Sequence, residues 1–244
     1  MRLLDVLLEV CVDDVAGMEA AVEGGADRIE LCSSLDLGGL TPSAGLMREA
    51  AKLPIPVHAL IRPRAGGFVY GAAEERVMRR DIEQAAEQGL AGLAIGAMNP
   101  EGRLDLPLLR RLIQAAPGLQ LTLHRAFDLV REPQAALEEA ISLGFHRILS
   151  SGGALTAPAG TAQLAALVAQ SHGRIQILAG SGIQAENVQA LLSASNVPEI
   201  HASCRAPALA ATPELLAFGF AAPSARATSA ALVRALKEQL LAHP

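Results

Sequence analysis

The chain has 244 residues, of which 51% are hydrophobic and 18% are charged. This size and apolar content allow one large buried core and exclude an intrinsically disordered chain. A formal net charge of −5, with no Trp, one Tyr and five Phe, argues against partners such as nucleic acid or a membrane surface. Three cysteines argue against a disulfide framework, and Asp5 and Glu9 interrupt the apolar run that a signal peptide needs. We therefore expect a cytoplasmic protein.

Short β-rich runs alternate with segments of helical periodicity along the whole chain. The predicted strands are Leu7–Val12, Arg28–Ser33, Val57–Arg62, Gly92–Met98, Gln120–Phe127, Arg147–Gly152, Arg174–Gly180 and Glu199–Cys204. The clearest helical segments are Glu74–Gln88, Leu106–Ala116, Gln134–Leu143, Ala162–Gln170 and Ala185–Ala194. Successive strands begin at intervals that fit one strand and one helix.

Eight such units predict an α/β protein with a single domain over 1–244, folded as a closed (β/α)₈ TIM barrel. A dinucleotide-binding fold is disfavoured, because no Gly-x-Gly-x-x-Gly turn follows the first strand. We expect one long irregular connection, at about 205–227, before the last helix.

Glutamates interrupt the first two predicted strands, where a barrel should be apolar on both faces. Glu9 is followed two residues later by Cys11, and Glu30 by Cys32, so each pair shares one face of its strand. A buried carboxylate costs several kcal/mol unless it is paired or lies at a solvent-filled mouth. Glu9 and Glu30 are therefore candidates for a polar site at the carboxyl ends of the strands.

Other strands supply partners for these carboxylates at the same end of the barrel. The candidate catalytic residues are Glu9, Glu30, Arg62, His124, Asp128 and His201. We expect these side chains to converge in one site. The alternative is a structural layer of salt bridges that joins Glu9 or Glu30 to Arg62 or Arg125, and the two interpretations can coexist.

Glycine-rich turns follow the sixth and seventh predicted strands. The candidate anion-binding residues are Ser151 and Gly152 in the first turn, Gly180, Ser181 and Gly182 in the second, and Arg64 after the third strand. Backbone N–H groups in these positions can bind phosphate in a TIM barrel. The alternative is that both turns only connect a strand to a helix tightly.

Cys11 and Cys32 lie on neighbouring predicted strands, where two thiolates could bind a soft ion such as Cu(I). The alternative is that both are small buried apolar residues. Cys204 has no partner at a useful spacing and is interpreted as a structural or incidental thiol. The sequence contains no Cys-x-x-Cys zinc motif.

Several segments together resemble the CutC family of copper homeostasis proteins. They are Glu9–Asp13, Gly25–Cys32, Gly38–Ser43, Ile61–Arg64, His124–Asp128, Arg147–Gly152 and Gly180–Ile183. The resemblance implies a cytoplasmic TIM barrel, a homo-oligomer, and a role in copper trafficking or tolerance. It also implies that Cys11 and Cys32 are Cu(I) ligands, and it implies no organic cofactor.

Two functions follow. The first is a copper homeostasis protein that binds a copper ion through two thiolates. The second is a TIM-barrel enzyme of unknown reaction, in which a carboxylate or His124 transfers a proton while Arg62 and Arg64 bind a small anionic molecule that carries phosphate or carboxylate.

Overall fold

The strand–helix repeat folds into a closed parallel barrel in the computed structural model, which describes residues 6–208, 211–222 and 225–243. Eight described strands follow one another around the barrel in chain order, and β8 pairs with β1 to close it. Asp5 and part of the 205–227 connection lie outside the described residues.

The strands of the barrel are short. They are β1 (Leu7–Val12), β2 (Arg28–Leu31), β3 (Val57–Leu60), β4 (Gly92–Ile95), β5 (Gln120–Leu123), β6 (Arg147–Ser150), β7 (Gln176–Gly180) and β8 (Glu199–Ala202). Helices on the outside are α1 (Val15–Gly24), α2 (Ala44–Ala50), α3 (Ala72–Glu87), α4 (Leu106–Gln114), α5 (Pro133–Leu143), α6 (Thr161–Ser171) and α7 (Val188–Ser195). The predicted (β/α)₈ fold is confirmed, although most strands end earlier than predicted.

The segment after β8 contains regular structure instead of the irregular connection that we expected. The described residues include β9 (Arg205–Pro207), α8 (Pro213–Ala217), β10 (Arg226–Thr228) and the last helix, α9 (Ala230–Leu241). β9 and β10 pair antiparallel and form a two-stranded ribbon beside the barrel mouth. Three-residue strands are too short to give a periodic sequence pattern, so the prediction missed them.

The apolar core lies between the strands and the surrounding helices. In β1, Leu8, Val10 and Val12 are fully buried in this outer layer, while the alternate residues Glu9 and Cys11 point into the barrel. This alternation leaves the barrel interior available for polar side chains. No described helix combines the length and the apolar character that crossing a membrane requires.

Candidate functional site

Charged side chains fill the part of the barrel interior nearest the amino ends of the strands. Arg28, the first residue of β2, donates hydrogen bonds to the carboxylates of Glu9 and Glu199. Arg147 of β6 donates to the same Glu199 at 3.2 Å. All four side chains are buried, where a charge without a partner would cost several kcal/mol. The interior of this barrel therefore depends on ion pairs where branched aliphatic residues usually pack.

Glu9 connects this charged layer to His201 above it. Glu9 Oε1 lies 2.7 Å from His201 Nδ1, and His201 Nε2 lies 3.9 Å from Glu30 Oε2. One ligand atom from each of the three residues lies within 4.8 Å of the others. The structure thus brings together three of the predicted site residues, which come from β1, β2 and β8.

The pKa values of Glu9, Glu30 and His201 are shifted for different reasons. Burial tends to raise the pKa of Glu9, but the Arg28 guanidinium and His201 outweigh it and hold that pKa well below its usual range. Burial raises the pKa of Glu30. Burial also opposes the charged form of His201, but its neighbours Cys11, Glu9 and Glu30 raise the His201 pKa well above its usual value. Glu9 and His201 therefore form a buried ion pair at neutral pH.

A cavity of about 630 Å³ opens above His201 at the carboxyl ends of the strands. The predicted site residues in its lining are Cys11, Glu30, Arg62, His124, Ser181, Gly182 and His201. Arg226 of the ribbon and Leu236 of α9 form another part of the wall. Glu9 lies below the cavity and reaches it only through His201. A small organic molecule fits a space of this volume.

His124 follows the last residue of β5 and lines the cavity. Its Nδ1 accepts a hydrogen bond from the Ala126 N–H at 3.2 Å, and a 3₁₀ turn follows over Arg125–Leu129. The prediction that β5 continues to Phe127 is therefore wrong, because the side chain of His124 caps the turn.

Asp128 is placed away from the cavity, contrary to the prediction that it joins the other candidate catalytic residues. Its carboxylate accepts hydrogen bonds from the N–H groups of Ser151 and Gly153 and from the Ser150 hydroxyl. The Gly152 N–H donates to Ser150 Oγ. The prediction that Ser151 and Gly152 bind an external anion is wrong for this conformation, because the chain's own groups occupy those amides.

Two other predicted anion-binding residues do not reach the cavity. Arg64 pairs with Glu74 and donates to the carbonyls of Gly67 and Val69, so its guanidinium serves the loop after β3. Gly180 is the last residue of β7, and an added Cβ would lie 2.6 Å from a Leu149 methyl group. The glycine at 180 is explained by close packing within the barrel.

The predicted salt-bridge layer exists, but the predicted partners are wrong. Glu9 pairs with Arg28, whereas Arg62 donates to loop carbonyls and Arg125 pairs with Asp128 at 2.8 Å. Arg28 lies two residues before Glu30 on the same face of β2, which is a signal that the sequence does contain.

Comparisons with known proteins identify the family. The family model for the CutC family matches residues 6–206. The chain belongs to the CutC family. The CutC family protein of Rhizobium meliloti is 54% identical over 233 residues, which are 96% of this chain and 95% of that relative. The CutC family protein of Agrobacterium fabrum is 50% identical over 244 residues, or 100% of this chain and 97% of that one.

Solved structures agree with this assignment. The crystal structure of CutC from Streptococcus agalactiae, a protein assigned to copper homeostasis, has a TM-score of 0.78 and 32% identity, and the match covers 81% of this chain and 98% of that one. Phosphoribosyl anthranilate isomerase from Thermotoga maritima has a TM-score of 0.57 at 13% identity, with 97% of this chain and 99% of that chain covered. The second match shows the shared barrel fold alone.

The two cysteines implied as ligands in this CutC family chain lie together in a small buried cluster. Cys11 and Cys32 pack with Leu60 and Ala94. Cys11 pairs in register with Glu30, so Cys32 stands two residues further along the chain, just after the end of β2. Cys32 Sγ lies 3.5 Å from Glu30 Oε2, and burial, together with this carboxylate, raises the pKa of the Cys32 thiol well above its usual value.

Sequence reasoning missed the position of Cys204. This residue follows β8 and lines the same cavity as Cys11, and burial raises the pKa of its thiol to about 12. Its place at the mouth follows from its position just after a barrel strand, which the spacing of the cysteines did not suggest.

Proposed function

We propose that this CutC family chain binds one Cu(I) ion through Cys11 and Cys32. The observation that carries the proposal is the meeting of two cysteines, 21 positions apart in sequence, in one buried cluster beside the cavity. Soft thiolates select Cu(I) over the harder ions that carboxylates prefer. The copper homeostasis role assigned to the Streptococcus agalactiae relative agrees with this choice of metal.

The environment of the cysteines favours metal binding that is coupled to the release of protons from their thiols. In the free protein, burial keeps Cys32 in its thiol form. Binding to metal requires thiolates, so each bound ion releases protons. The Glu30 carboxylate, 3.5 Å from Cys32 Sγ, is placed to accept one of them. Leu60 and Ala94 limit water around the sulfurs.

The test is a titration of the full chain with Cu(I) under anaerobic, reducing conditions against a chromogenic Cu(I) chelator. We expect about one equivalent to bind, and we expect Cys11→Ser and Cys32→Ser each to weaken binding by more than about tenfold, because a hydroxyl is a poor Cu(I) ligand. Cys204→Ser is the matched control and should bind like the wild type. X-ray absorption of the bound ion should show two sulfur ligands.

Wild-type affinity in either the Cys11→Ser or the Cys32→Ser variant, with the fold verified by circular dichroism, would contradict the proposal. Loss of binding only in Cys204→Ser would also contradict it, because the ion would then be held at the mouth of the barrel.

A further inference from the structure

We propose that the cavity binds a small organic molecule that carries an oxyanion, either a phosphate or a carboxylate. The anion would lie between Arg62 and His124 on one side and the backbone N–H groups of Gly182 and Ile183 on the other. The proposal needs no copper and uses neither Cys11 nor Cys32, so it is independent of the proposed function.

Arg62 supplies a buried positive charge that pairs with no carboxylate of the described residues. Its terminal nitrogens donate to the carbonyls of Leu37 at 3.0 Å, Gly39 at 2.8 Å and Gly66 at 2.9 Å. These bonds hold the guanidinium in place without neutralising it. Within the part of the chain that the structure describes, Arg62 Nε is buried and has no hydrogen-bond partner. A buried charge in this state is stabilised by an anion that comes from outside.

The ring Nε2 of His124 supplies a second buried donor to the cavity wall. Its Nδ1 accepts the Ala126 N–H, so in the neutral ring the proton is on Nε2. Burial lowers the pKa of His124 to about 4, which keeps the ring neutral at physiological pH. Nε2 is buried and has no partner among the described residues. Phe68 packs against both this ring and the Arg62 guanidinium, so an occupant that reaches the two donors displaces the Phe68 side chain.

The loop after β7 supplies the facing donors. Ser181 and Gly182 have left-handed φ angles of 85° and 69°, a costly conformation for the serine. The loop is held by its oxygen atoms: the Ser181 carbonyl accepts the Ala157 N–H at 2.9 Å, and the Gly182 carbonyl accepts from Asn187 at 2.9 Å. In the described ranges, the N–H groups of Gly182 and Ile183 donate to no protein acceptor.

The walls of the cavity indicate what is attached to the anion. Leu35, Leu60, Leu149 and Ile183 give the lining an apolar part. The volume of about 630 Å³ is far larger than a bare phosphate ion needs. The ligand class is therefore an organic phosphate or carboxylate with a partly apolar body.

The test uses ¹⁵N-labelled full-length protein titrated with three probes: inorganic phosphate, phenyl phosphate and benzoate, each compared with sodium chloride at equal ionic strength. We expect saturable shifts of the Gly182 and Ile183 amide signals, the Arg62 Nε–H signal and the His124 Nε2–H signal. Tighter binding of phenyl phosphate assigns the phosphate class, and tighter binding of benzoate assigns the carboxylate class. Both organic probes should bind more tightly than inorganic phosphate.

Arg62→Lys keeps the positive charge but removes the Nε–H donor, and it should weaken binding of the better probe by about tenfold, the effect of one charge-assisted hydrogen bond. Arg110→Lys is the control, because Arg110 is an exposed residue of α4. The proposal is overturned if none of the probes moves the wild-type signals at millimolar concentration. It is also overturned if the shifts are confined to exposed residues outside the cavity, such as Arg110. These wild-type results decide the matter even if the Arg62 variant fails to fold.

Discussion

The carboxylate of Asp128 accepts the backbone N–H of Ser151, with Oδ1 3.0 Å and Oδ2 3.1 Å from the nitrogen. The same carboxylate also receives the Gly153 N–H at 3.2 Å and the Ser150 hydroxyl at 2.6 Å. A group of free N–H donors after a barrel strand is an anion site. In the loop after β6, the chain supplies that anion from its own 3₁₀ turn, whereas no carboxylate of the described residues accepts the N–H groups of Gly182 and Ile183 in the corresponding loop after β7.

Removal of this internal anion should destabilise the protein and open a site for an external one. For Asp128→Ala, we expect the free energy of unfolding in urea to fall by about 3 kcal/mol, since hydrogen bonds to a charged group are lost. Sulfate should restore part of this loss by binding to the exposed N–H groups. If sulfate stabilises the variant and the wild type equally, the Asp128 carboxylate does not occupy an anion site.

Breaking the charged layer inside the barrel should be costly. Glu9→Gln leaves the buried Arg28 and His201 without a shared counter-charge, so we expect a loss of about 3–5 kcal/mol in the free energy of unfolding. The control is Glu49→Gln, which breaks the exposed Lys52–Glu49 pair and should change stability by at most about 1 kcal/mol. Equal effects of the two substitutions in urea unfolding would contradict a structural role for the layer.

The buried ion pair also predicts how stability depends on pH. The pKa of His201 is raised above its unfolded value of about 6.5, so its stabilising contribution is complete below that pH and is lost as the pH rises through the folded pKa. The pKa of Glu9 is lowered, so its contribution is present above about pH 4.5 and is lost as the pH falls.

His201→Gln should therefore destabilise the protein more at about pH 6 than in strongly alkaline buffer, as measured by urea unfolding. His172→Asn is the control, because His172 is exposed and has a left-handed φ of 47° that Asn tolerates. In ¹⁵N spectra at neutral pH, His201 should be protonated, whereas His58 and His124, whose pKa values burial lowers to about 3 and about 4, should be neutral. A neutral His201 would contradict the ion pair with Glu9.

Substitutions of two glycines by alanine distinguish the cost of a steric clash from the effect of reduced backbone freedom in the unfolded chain. A Cβ added at Gly160 would lie 1.9 Å from the Ser151 carbonyl oxygen, so Gly160→Ala should cost about 3 kcal/mol by displacing the loop after β6. Among the described residues, no atom lies within 4 Å of a Cβ added at Gly67, and Gly67→Ala should be neutral or stabilise by up to about 1 kcal/mol. Similar melting temperatures for the two variants would contradict this packing.

The barrel was predictable from the sequence because each strand is a short apolar run that a helix follows. Strand ends were less predictable. β5 stops at Leu123 because the His124 side chain accepts the Ala126 N–H, and a single local hydrogen bond leaves no trace in the pattern of hydrophobicity. For the same reason Asp128 was placed on the wrong face.

The candidate site was predictable in part. Period-two alternation is enough to place Glu9 and Glu30 inside the barrel, and their proximity to His201 follows from closure of the barrel. The choice of Arg28 over Arg62 as the partner of Glu9 depends on the register between β1 and β2, in which Glu9 pairs with Arg28. Register and stagger are properties of the assembled barrel, so one strand considered alone does not contain them.

Because β1 pairs with β8, the barrel can close only after its last strand has been synthesised. Glu9 meets His201 across 192 residues of sequence, and Arg28 meets Glu199 across 171. Folding begins at the amino terminus while the chain is still being made, and contacts over such separations form late. Until Glu199–Ala202 leaves the ribosome, β1 is an open edge strand, and an open edge is a template for pairing with other chains. A nascent chain that has not yet delivered β8 is therefore the form that most needs a chaperone.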